Sequence, residues 1–320
     1  MKAELRTRLL VGIPLAVLIV GALLLDGWLA ARPPPKLPIA GLGVDLGPWL
    51  THGALCTAVV LVLTVAATDE LVKLARARGH RPFGLTAQIF AAALVIGPYV
   101  SFNLSPLTGG YDESLGMLWL TVGLGFVFLL QALTRGAQNA MENLSSTLFI
   151  IFYAGGLAGF MTKLRMEIGG SAGVAMLLFS IFLVKMTDTG AYFTGRALGR
   201  HKMVEWLSPK KTWEGFAGGL VTTVVCALAL GTWLHHAGLA RIDERYISYP
   251  WALMLLGLLL GLFSVAGDLC ASLLKRDAAV KDSGQALPGL GGVLDVMDSP
   301  LLAAPVAWFF WARMFHGVPS

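Results

Sequence analysis

Four aspartates and three cationic side chains lie close together in one short stretch of a strongly apolar chain. The stretch runs from Ser272 to Ser299 and reads SLLKRDAAVKDSGQALPGLGGVLDVMDS. In the whole chain only 13% of the residues are charged, whereas 56% are hydrophobic. Carboxylates, cations and a glycine-rich turn can bind a metal ion and the anionic oxygens of a phosphate. The stretch therefore indicates phosphate chemistry at the end of a hydrophobic segment.

A second group of polar residues lies earlier in the chain. It reads KMTDTGAYFTGRALGRHKMVEWLSPKKTWEG and occupies residues 185–215. Asp188 is expected to close a membrane span, and the glycines after it are expected to allow tight turns. Lys210 and Lys211 stand between the hydroxyl residues Ser208 and Thr212, and such a group can bind a triphosphate or a lipid phosphate. The following helix should begin near Thr212. A loop that is merely positive would explain the lysines but not the aspartate and glycines before them.

The residues around the first stretch can be placed on helix faces. Asp268, Ser272 and Lys275 are spaced to share one face, which would combine a carboxylate, a hydroxyl and an ammonium. An intrahelical salt bridge, with Lys275 reaching to the membrane interface, is the purely structural alternative. Asp295 and Asp298 stand at i and i+3 immediately before an apolar span. Together with Asp268 they would form a cluster of hard oxygens, the ligands that Mg²⁺ prefers.

The elements that must position these residues are membrane helices. The mean hydropathy is +0.72, and a soluble domain of this size could not hide so much apolar surface. A transmembrane helix needs about 20 mostly apolar residues. Nine segments approach that length: 9–30, 48–68, 85–103, 115–133, 144–162, 171–187, 215–234, 251–272 and 300–315. The sequence therefore predicts an all-α, polytopic integral membrane protein with about nine transmembrane helices.

The positive charges predict how these helices are oriented. Lysines and arginines are concentrated in alternate connections, which by the positive-inside rule places the N-terminus in the cytoplasm. The loops 188–214 and 273–299 then face the cytoplasm as well. Lys2, Arg6 and Arg8 before the first span would also fit a secretory signal peptide. The apolar stretch after them is longer than in most signal peptides, which favours a retained helix.

Charge and cysteine content narrow the functional classes further. The net charge of +5 is spread over several loops without an aromatic-basic repeat, so no nucleic-acid partner is expected. The three cysteines show neither a disulfide framework nor zinc-ligand spacing. From residue 181 onward ionisable residues enter or adjoin the spans, whereas little in the first 180 residues indicates chemistry. We therefore expect residues 1–180 to form a scaffold with a role in lipid access and residues 181–320 to form the catalytic part.

The spacing in residues 272–298 resembles the signature of the phosphatidate cytidylyltransferase (CDP-diacylglycerol synthase) family. The matching positions are Ser272, Lys275, Arg276, Lys281, Asp282, Gly284, Leu287, Pro288, Gly289, Gly291, Gly292, Asp295 and Asp298. The segments DTGAYFTGRALGRHK, SPKKTWEG and GDLCASLLKR also resemble family elements. Two positions depart from the pattern, because Leu290 replaces the usual histidine and Val296 the usual arginine. These departures could weaken the activity or change the substrate.

The resemblance implies a reaction and a set of site residues. CTP and phosphatidate would give CDP-diacylglycerol and pyrophosphate with Mg²⁺, and a second ion such as K⁺ is left open. The expected metal ligands are Asp268 and Asp295, followed by Asp298. The expected catalytic residues are Asp268, Lys275, Arg276, Lys281, Asp282 and Asp295. The residues expected to bind the nucleotide and its phosphates are Asp188, Ser208, Lys210, Lys211, Thr212, Ser272, Gly291 and Gly292.

The same interpretation predicts the partners of the protein and its location. Its partners would be CTP, phosphatidic acid or a related lipid phosphate, and membrane lipids, and a homodimer is left open. A prokaryotic inner membrane, with the site facing the cytoplasm, is the expected location. Three other functions remain open: an ion-coupled transporter, a CTP-dependent lipid kinase and a catalytically inactive relative. A transporter would show paired helix interruptions in both halves, whereas a kinase would add one phosphate and leave CDP.

Overall fold

Long apolar segments of this chain form helices, because a backbone inside a bilayer must satisfy its own hydrogen bonds. The computed structural model describes residues 2–39, 44–108, 114–236, 250–284, 287–289 and 291–315. Within those ranges, nine helical segments are long and apolar enough to cross a membrane. The prediction of an all-α polytopic membrane protein is confirmed. The cytoplasmic position of the N-terminus stays a prediction.

The elements follow one another along the chain with short connections. The helices are α1 (Lys2–Ala30), α2 (Gly47–Thr51), α3 (Ala54–Ala77), α4 (Gly84–Thr108), α5 (Ser114–Thr134), α6 (Ala140–Ile150), α7 (Leu157–Ile168), α8 (Gly170–Leu198), α9 (Trp213–His236), α10 (Trp251–Asp277) and α11 (Val293–Phe315). A π-helical turn, Ile151–Gly156, joins α6 to α7, so that these three pieces form one span. Four short strands form two hairpins: β1 (Pro38–Ile39) with β2 (Val44–Asp45), and β3 (Lys202–Val204) with β4 (Ser208–Thr212).

Several helices extend beyond the apolar segments that predict them. The second span is displaced, because α3 covers 54–77 and not 48–68. The sixth continues to Leu198, so Asp188 lies inside a helix and does not end it. The ninth begins at Val293, seven residues before the predicted start, so Asp295 and Asp298 lie in its first turns. Some polar residues in these extensions bond to neighbouring elements, as Asp188 does to Ser264 and Glu70 does to Ser283.

The glycines after Asp188 have a different role from the predicted one. Gly190 and Gly195 lie within α8, and the expectation of tight turns at these two positions is wrong. A Cβ atom added to Gly190 would lie 2.3 Å from the Thr222 Oγ1 atom of α9. The missing side chains let the backbones of α8 and α9 approach closely, as small residues do in membrane helix pairs.

The hairpin β3–β4 places the two adjacent lysines next to the N-terminal end of α9. Lys202 pairs with Thr212 and Val204 with Ser208 in antiparallel register. Thr212 caps α9, because its Oγ1 atom accepts a hydrogen bond from the Gly215 amide at 3.1 Å. The predicted helix start near Thr212 is therefore confirmed. The hairpin itself was not expected from the sequence.

Helix α11 lies at the centre of the bundle and carries the C-terminal aspartates. It packs against α3, α7, α8 and α10. Its Trp311 is fully buried and donates a hydrogen bond from Nε1 to Ser180 Oγ at 3.0 Å. No break in the structure marks the predicted boundary at residue 180, because α8 runs through it. The division into a scaffold and a catalytic part stays a prediction.

Candidate functional site

An open cleft lies where α8, the β3–β4 hairpin, α9 and α10 meet. Its volume is about 220 Å³. The polar lining residues are Asp188, Tyr192, Lys210, Lys211, Thr212 and Asp268. Five of these six lie in the second polar group, residues 185–215, and the sixth, Asp268, comes four residues before the stretch that begins at Ser272. The structure thus brings together residues from separate parts of the chain.

An ion pair crosses this cleft from the hairpin to α10. The Lys211 Nζ atom lies 2.8 Å from the Asp268 Oδ2 atom, and both side chains keep partial access to solvent. The sequence left open an intrahelical salt bridge between Asp268 and Lys275. The structure shows instead that the two residues pair with partners on other elements.

Asp268 interacts electrostatically with one carboxylate on each of two other helices. The charge of Asp268 interacts with the charges of Asp188 on α8 and Asp298 on α11. Asp188 also lies 3.7 Å from Lys185 and accepts a hydrogen bond from Ser264 Oγ at 3.4 Å. Carboxylates in one site repel each other, and Lys185 and Lys211 offset part of that repulsion. The site therefore favours positive charge.

Asp295 occupies a neighbouring position in the first turn of α11. Its Oδ1 atom accepts a hydrogen bond from Lys275 Nζ at 2.6 Å, and both side chains are 13% exposed. Its Oδ2 atom accepts bonds from the amides of Ser283 and Gly292 at 3.1 and 2.9 Å. Asp295 thus closes the glycine-rich loop onto the helix. Its predicted role as a metal ligand stays a prediction.

The glycine-rich loop folds back on itself before α11. Leu287 and Gly291 exchange backbone hydrogen bonds of 3.0 Å. Gly291 has a φ of +91°, which other residues adopt rarely. A Cβ atom on Gly291 would lie 2.6 Å from Asp295 Oδ2. The departure at Leu290 lies outside the described residues, whereas Val296 accepts a hydrogen bond from Lys185 Nζ at its carbonyl oxygen.

The remaining predicted residues lie around this centre. Arg276 donates a hydrogen bond from Nε to the Leu207 carbonyl at 3.3 Å, which ties α10 to the hairpin. Lys281 and Asp282 are exposed in the loop, and Ser272 and Ser208 are half-buried. Lys210 is exposed at the rim of the cleft. Their predicted roles toward nucleotide and phosphate are not tested by these positions.

Two carboxylates that the sequence reasoning did not assign to the site also hold it together. Glu214 accepts hydrogen bonds from the Arg200 and His201 amides at 3.1 and 3.2 Å, which fixes the start of the hairpin. Its charge also lies in the first turn of α9, where it complements the helix dipole. Glu70 on α3 is buried and contacts the glycine-rich loop. A charged residue inside an apolar span was the available signal for Glu70.

Comparison with known proteins identifies the family of the chain. A model of the cytidylyltransferase family matches residues 39–314. This match covers most of the chain, including all of the cleft and the glycine-rich loop. The chain belongs to the cytidylyltransferase family. It is therefore a nucleotidyltransferase, and the resemblance seen in residues 272–298 is confirmed.

Individual relatives are similar over most of their length. The phosphatidate cytidylyltransferase of Synechocystis is 29% identical over 296 residues, covering 83% of this chain and 89% of the relative. The enzyme of the same name from Mycobacterium bovis is 32% identical over 262 residues, 78% of each chain. Phosphatidate cytidylyltransferase 4, chloroplastic, from Arabidopsis thaliana is 31% identical and covers 86% of this chain and 72% of the relative. The similarity thus extends across bacteria and plants.

Proposed function

We propose that this family member is a phosphatidate cytidylyltransferase that makes CDP-diacylglycerol from CTP and phosphatidate. The observation that carries the proposal is the cleft in which Lys211 faces Asp268 at the end of membrane helices. Cations and carboxylates on opposite walls suit a triphosphate with its counter-ion. The similar enzymes named for this reaction support the choice of substrates.

The chemistry requires positioning more than proton transfer. An oxygen of the phosphatidate phosphate attacks the α-phosphorus of CTP, and the bond from that phosphorus to pyrophosphate breaks. A phosphate monoester is already anionic near neutral pH, so no general base is needed. Lys210 and Lys211 would hold the triphosphate, while Lys275 and Arg276 would hold the lipid phosphate or the departing pyrophosphate. Fixed cations near the reacting oxygens offset the charge that develops there.

Mg²⁺ is the proposed cofactor, and the chemistry of the donor set fits it. Among the described residues, no group of three or more histidine, cysteine or acidic side chains has metal-binding geometry. Mg²⁺ needs only one or two carboxylates when substrate phosphates and waters complete its shell. Asp268, Asp295 and Asp298 are the carboxylates from which those one or two ligands would come. When bound, the ion would polarise phosphoryl oxygens and ease the departure of pyrophosphate.

The ion pairs suggest what the lysines do when substrate binds. Lys211 and Lys275 each neutralise a carboxylate that is proposed to hold the metal. With Mg²⁺ beside those carboxylates, both ammonium groups would turn to the phosphates. The lysines would thus neutralise the carboxylates before binding and hold the anionic substrates afterwards.

The site is proposed to face the cytoplasm of a prokaryotic inner membrane, where CTP is available. The distribution of positive charge along the loops supports this orientation. Single cysteines placed in the 273–299 loop and tested with a membrane-impermeant thiol reagent in sealed cells would check it. Labelling from outside the cells would contradict it.

The reaction itself is tested with purified protein in detergent. Pyrophosphate release from CTP is measured with and without phosphatidate and Mg²⁺, and the lipid product is identified by mass. We expect release only when both are present, together with a lipid that has gained CMP. A lipid that has gained one phosphate, with CDP released, would indicate a kinase and overturn the proposal. Folded protein that releases no pyrophosphate under any of these conditions would also overturn it.

A further inference from the structure

A buried glutamate from the N-terminal half of the chain contacts the C-terminal glycine-rich loop. Glu70 lies on α3 and is 4% exposed. It accepts hydrogen bonds from Ser283 Oγ at 2.7 Å, from the Val293 amide at 2.8 Å and from the Leu294 amide at 2.9 Å. All three donors belong to the loop or to the first turn of α11. A buried carboxylate with three donors is held firmly, because hydrogen bonds to a charged acceptor are strong.

These contacts complete the amino-terminal cap of α11. The first amides of a helix have no partner within the helix. Asp295 accepts the hydrogen bond of the Gly292 amide, and Glu70 accepts those of the next two residues. A negative charge at this end of a helix also interacts favourably with the helix dipole. The cap of α11 is therefore supplied by α3, from a residue more than 200 positions away.

Glu70 also accounts for two glycines of the loop. A Cβ atom at Gly284 would lie 2.6 Å from Glu70 Oε1. A Cβ atom at Gly292 would lie 2.2 Å from Glu70 Oε2 and 2.1 Å from Ser283 Oγ. Both positions are thus too close to the carboxylate for a larger residue. The need for glycine at these two positions comes from α3 and not from the turn alone.

A chain of hydrogen bonds leads from Glu70 to the residues proposed to act on the phosphates. Ser283 Oγ contacts Glu70 Oε2 and also lies 3.1 Å from Asp295 Oδ2. Asp295 in turn binds Lys275. We propose that Glu70 is a positioning residue for the cytidylyl transfer: it sets the first turn of α11, and through that turn the placement of Asp295 and Asp298. This inference rests on the proposed function for its catalytic meaning.

The test compares Glu70→Gln with a matched control on the same helix. Glutamine keeps the size of the side chain but replaces one acceptor oxygen with a donor, so at least one amide of α11 loses its partner. The control is Asp69→Asn, because the Asp69 side chain is 46% exposed and pairs only with Lys73 in the described structure. Exposed pairs of this kind contribute little to stability.

Three quantities are measured on each folded variant. For Glu70→Gln we expect turnover per folded molecule to fall about 10- to 100-fold and the Mg²⁺ concentration for half-maximal rate to rise about 10-fold. We also expect faster hydrogen–deuterium exchange at the amides of Val293 and Leu294. Asp69→Asn should stay within about twofold of the wild type in all three. A residue that only stabilised the fold would change the yield but leave turnover and Mg²⁺ dependence per folded molecule unaltered.

The outcomes separate this inference from the function on which it rests. Wild-type turnover and Mg²⁺ dependence in folded Glu70→Gln, or unchanged exchange at Val293 and Leu294, would overturn the positioning role. If Glu70→Gln is not recovered folded, Glu70→Asp takes its place with the same expected directions, and wild-type values for it would equally overturn the role. If the wild type makes no CMP-bearing lipid, the proposed function fails, while the exchange comparison still decides whether Glu70 orders the turn.

Discussion

At the scale of single residues, Asp268 is the acidic residue of α10 that lines the cleft. It pairs with Lys211 from the hairpin, and its charge acts on Asp188 and Asp298 from two other helices. Four elements therefore converge on one carboxylate. Its side chain is still 36% exposed to the cleft, so it can reach an ion or a substrate that enters.

The first prediction concerns that carboxylate. Asp268→Asn should lower the formation of CMP-bearing lipid by at least about 100-fold, because several kcal/mol of charge stabilisation at the phosphoryl oxygens would be lost. The amount of folded protein should change little, since the ion pair that is broken is partly exposed. Asp277→Asn is the control, because Asp277 on the same helix forms only an exposed pair with Arg78 in the described structure. Near wild-type turnover in folded Asp268→Asn would remove Asp268 from the proposed metal site.

At the scale of elements, the close approach of α8 and α9 determines the shape of the cleft. Gly190 and Gly195 of α8 face Thr222 and Gly215 of α9. Contact between the two backbones brings Asp188 near the hairpin that carries Lys211. The glycines therefore act on the site through packing. Their effect is expected in stability and in the geometry of the cleft.

The second prediction concerns this packing. Gly190→Ala should lower stability by about 1–3 kcal/mol, the usual cost of an added carbon in a filled interface. Thermal unfolding in detergent would show it as a lower apparent Tm. Gly125→Ala on α5 is the control, because a Cβ atom there would meet nothing within 4 Å. An unchanged Tm for Gly190→Ala would mean that α8 and α9 separate without cost.

At the scale of the whole molecule, a buried ion pair joins the first helix to the rest of the bundle. Asp26 on α1 and Arg165 on α7 are each 2% exposed at the side chain, and Asp26 Oδ2 lies 2.7 Å from Arg165 Nε. Asp26 Oδ1 also accepts hydrogen bonds from the Leu55 and Cys56 amides at the start of α3. These contacts join α1 to α7 and to the start of α3.

The third prediction tests this connection. Asp26→Ala should destabilise the protein by about 3–5 kcal/mol, because Arg165 would stay buried without its partner. The measurement is the folded yield and the apparent Tm in detergent. The double variant Asp26→Ala/Arg165→Met should recover part of the loss, since it removes the unpaired charge. Equal stability of Asp26→Ala and the wild type would show that the contacts of Asp26 do not hold α1 to the bundle.

The sequence by itself determined the class of protein, the approximate number and place of the spans, and the family. Each of these depends on local properties: the length of an apolar segment, or the spacing of residues within 272–298. A helix needs a certain apolar length to cross a bilayer whatever its neighbours are. The charged residues of the two polar groups could also be recognised from the sequence, because their spacing along the chain is a local property.

Only the tertiary structure decided which of those residues meet. Lys211 pairs with Asp268, Lys275 pairs with Asp295, and Glu70 caps α11 across a separation of 223 residues. The start of α11 at Val293 also depended on a partner from another element, because the Glu70 carboxylate accepts hydrogen bonds from its first amides. Hydrophobicity and spacing carry no information about which helices become neighbours. That choice follows from how complementary faces pack, as Gly190 shows by admitting Thr222.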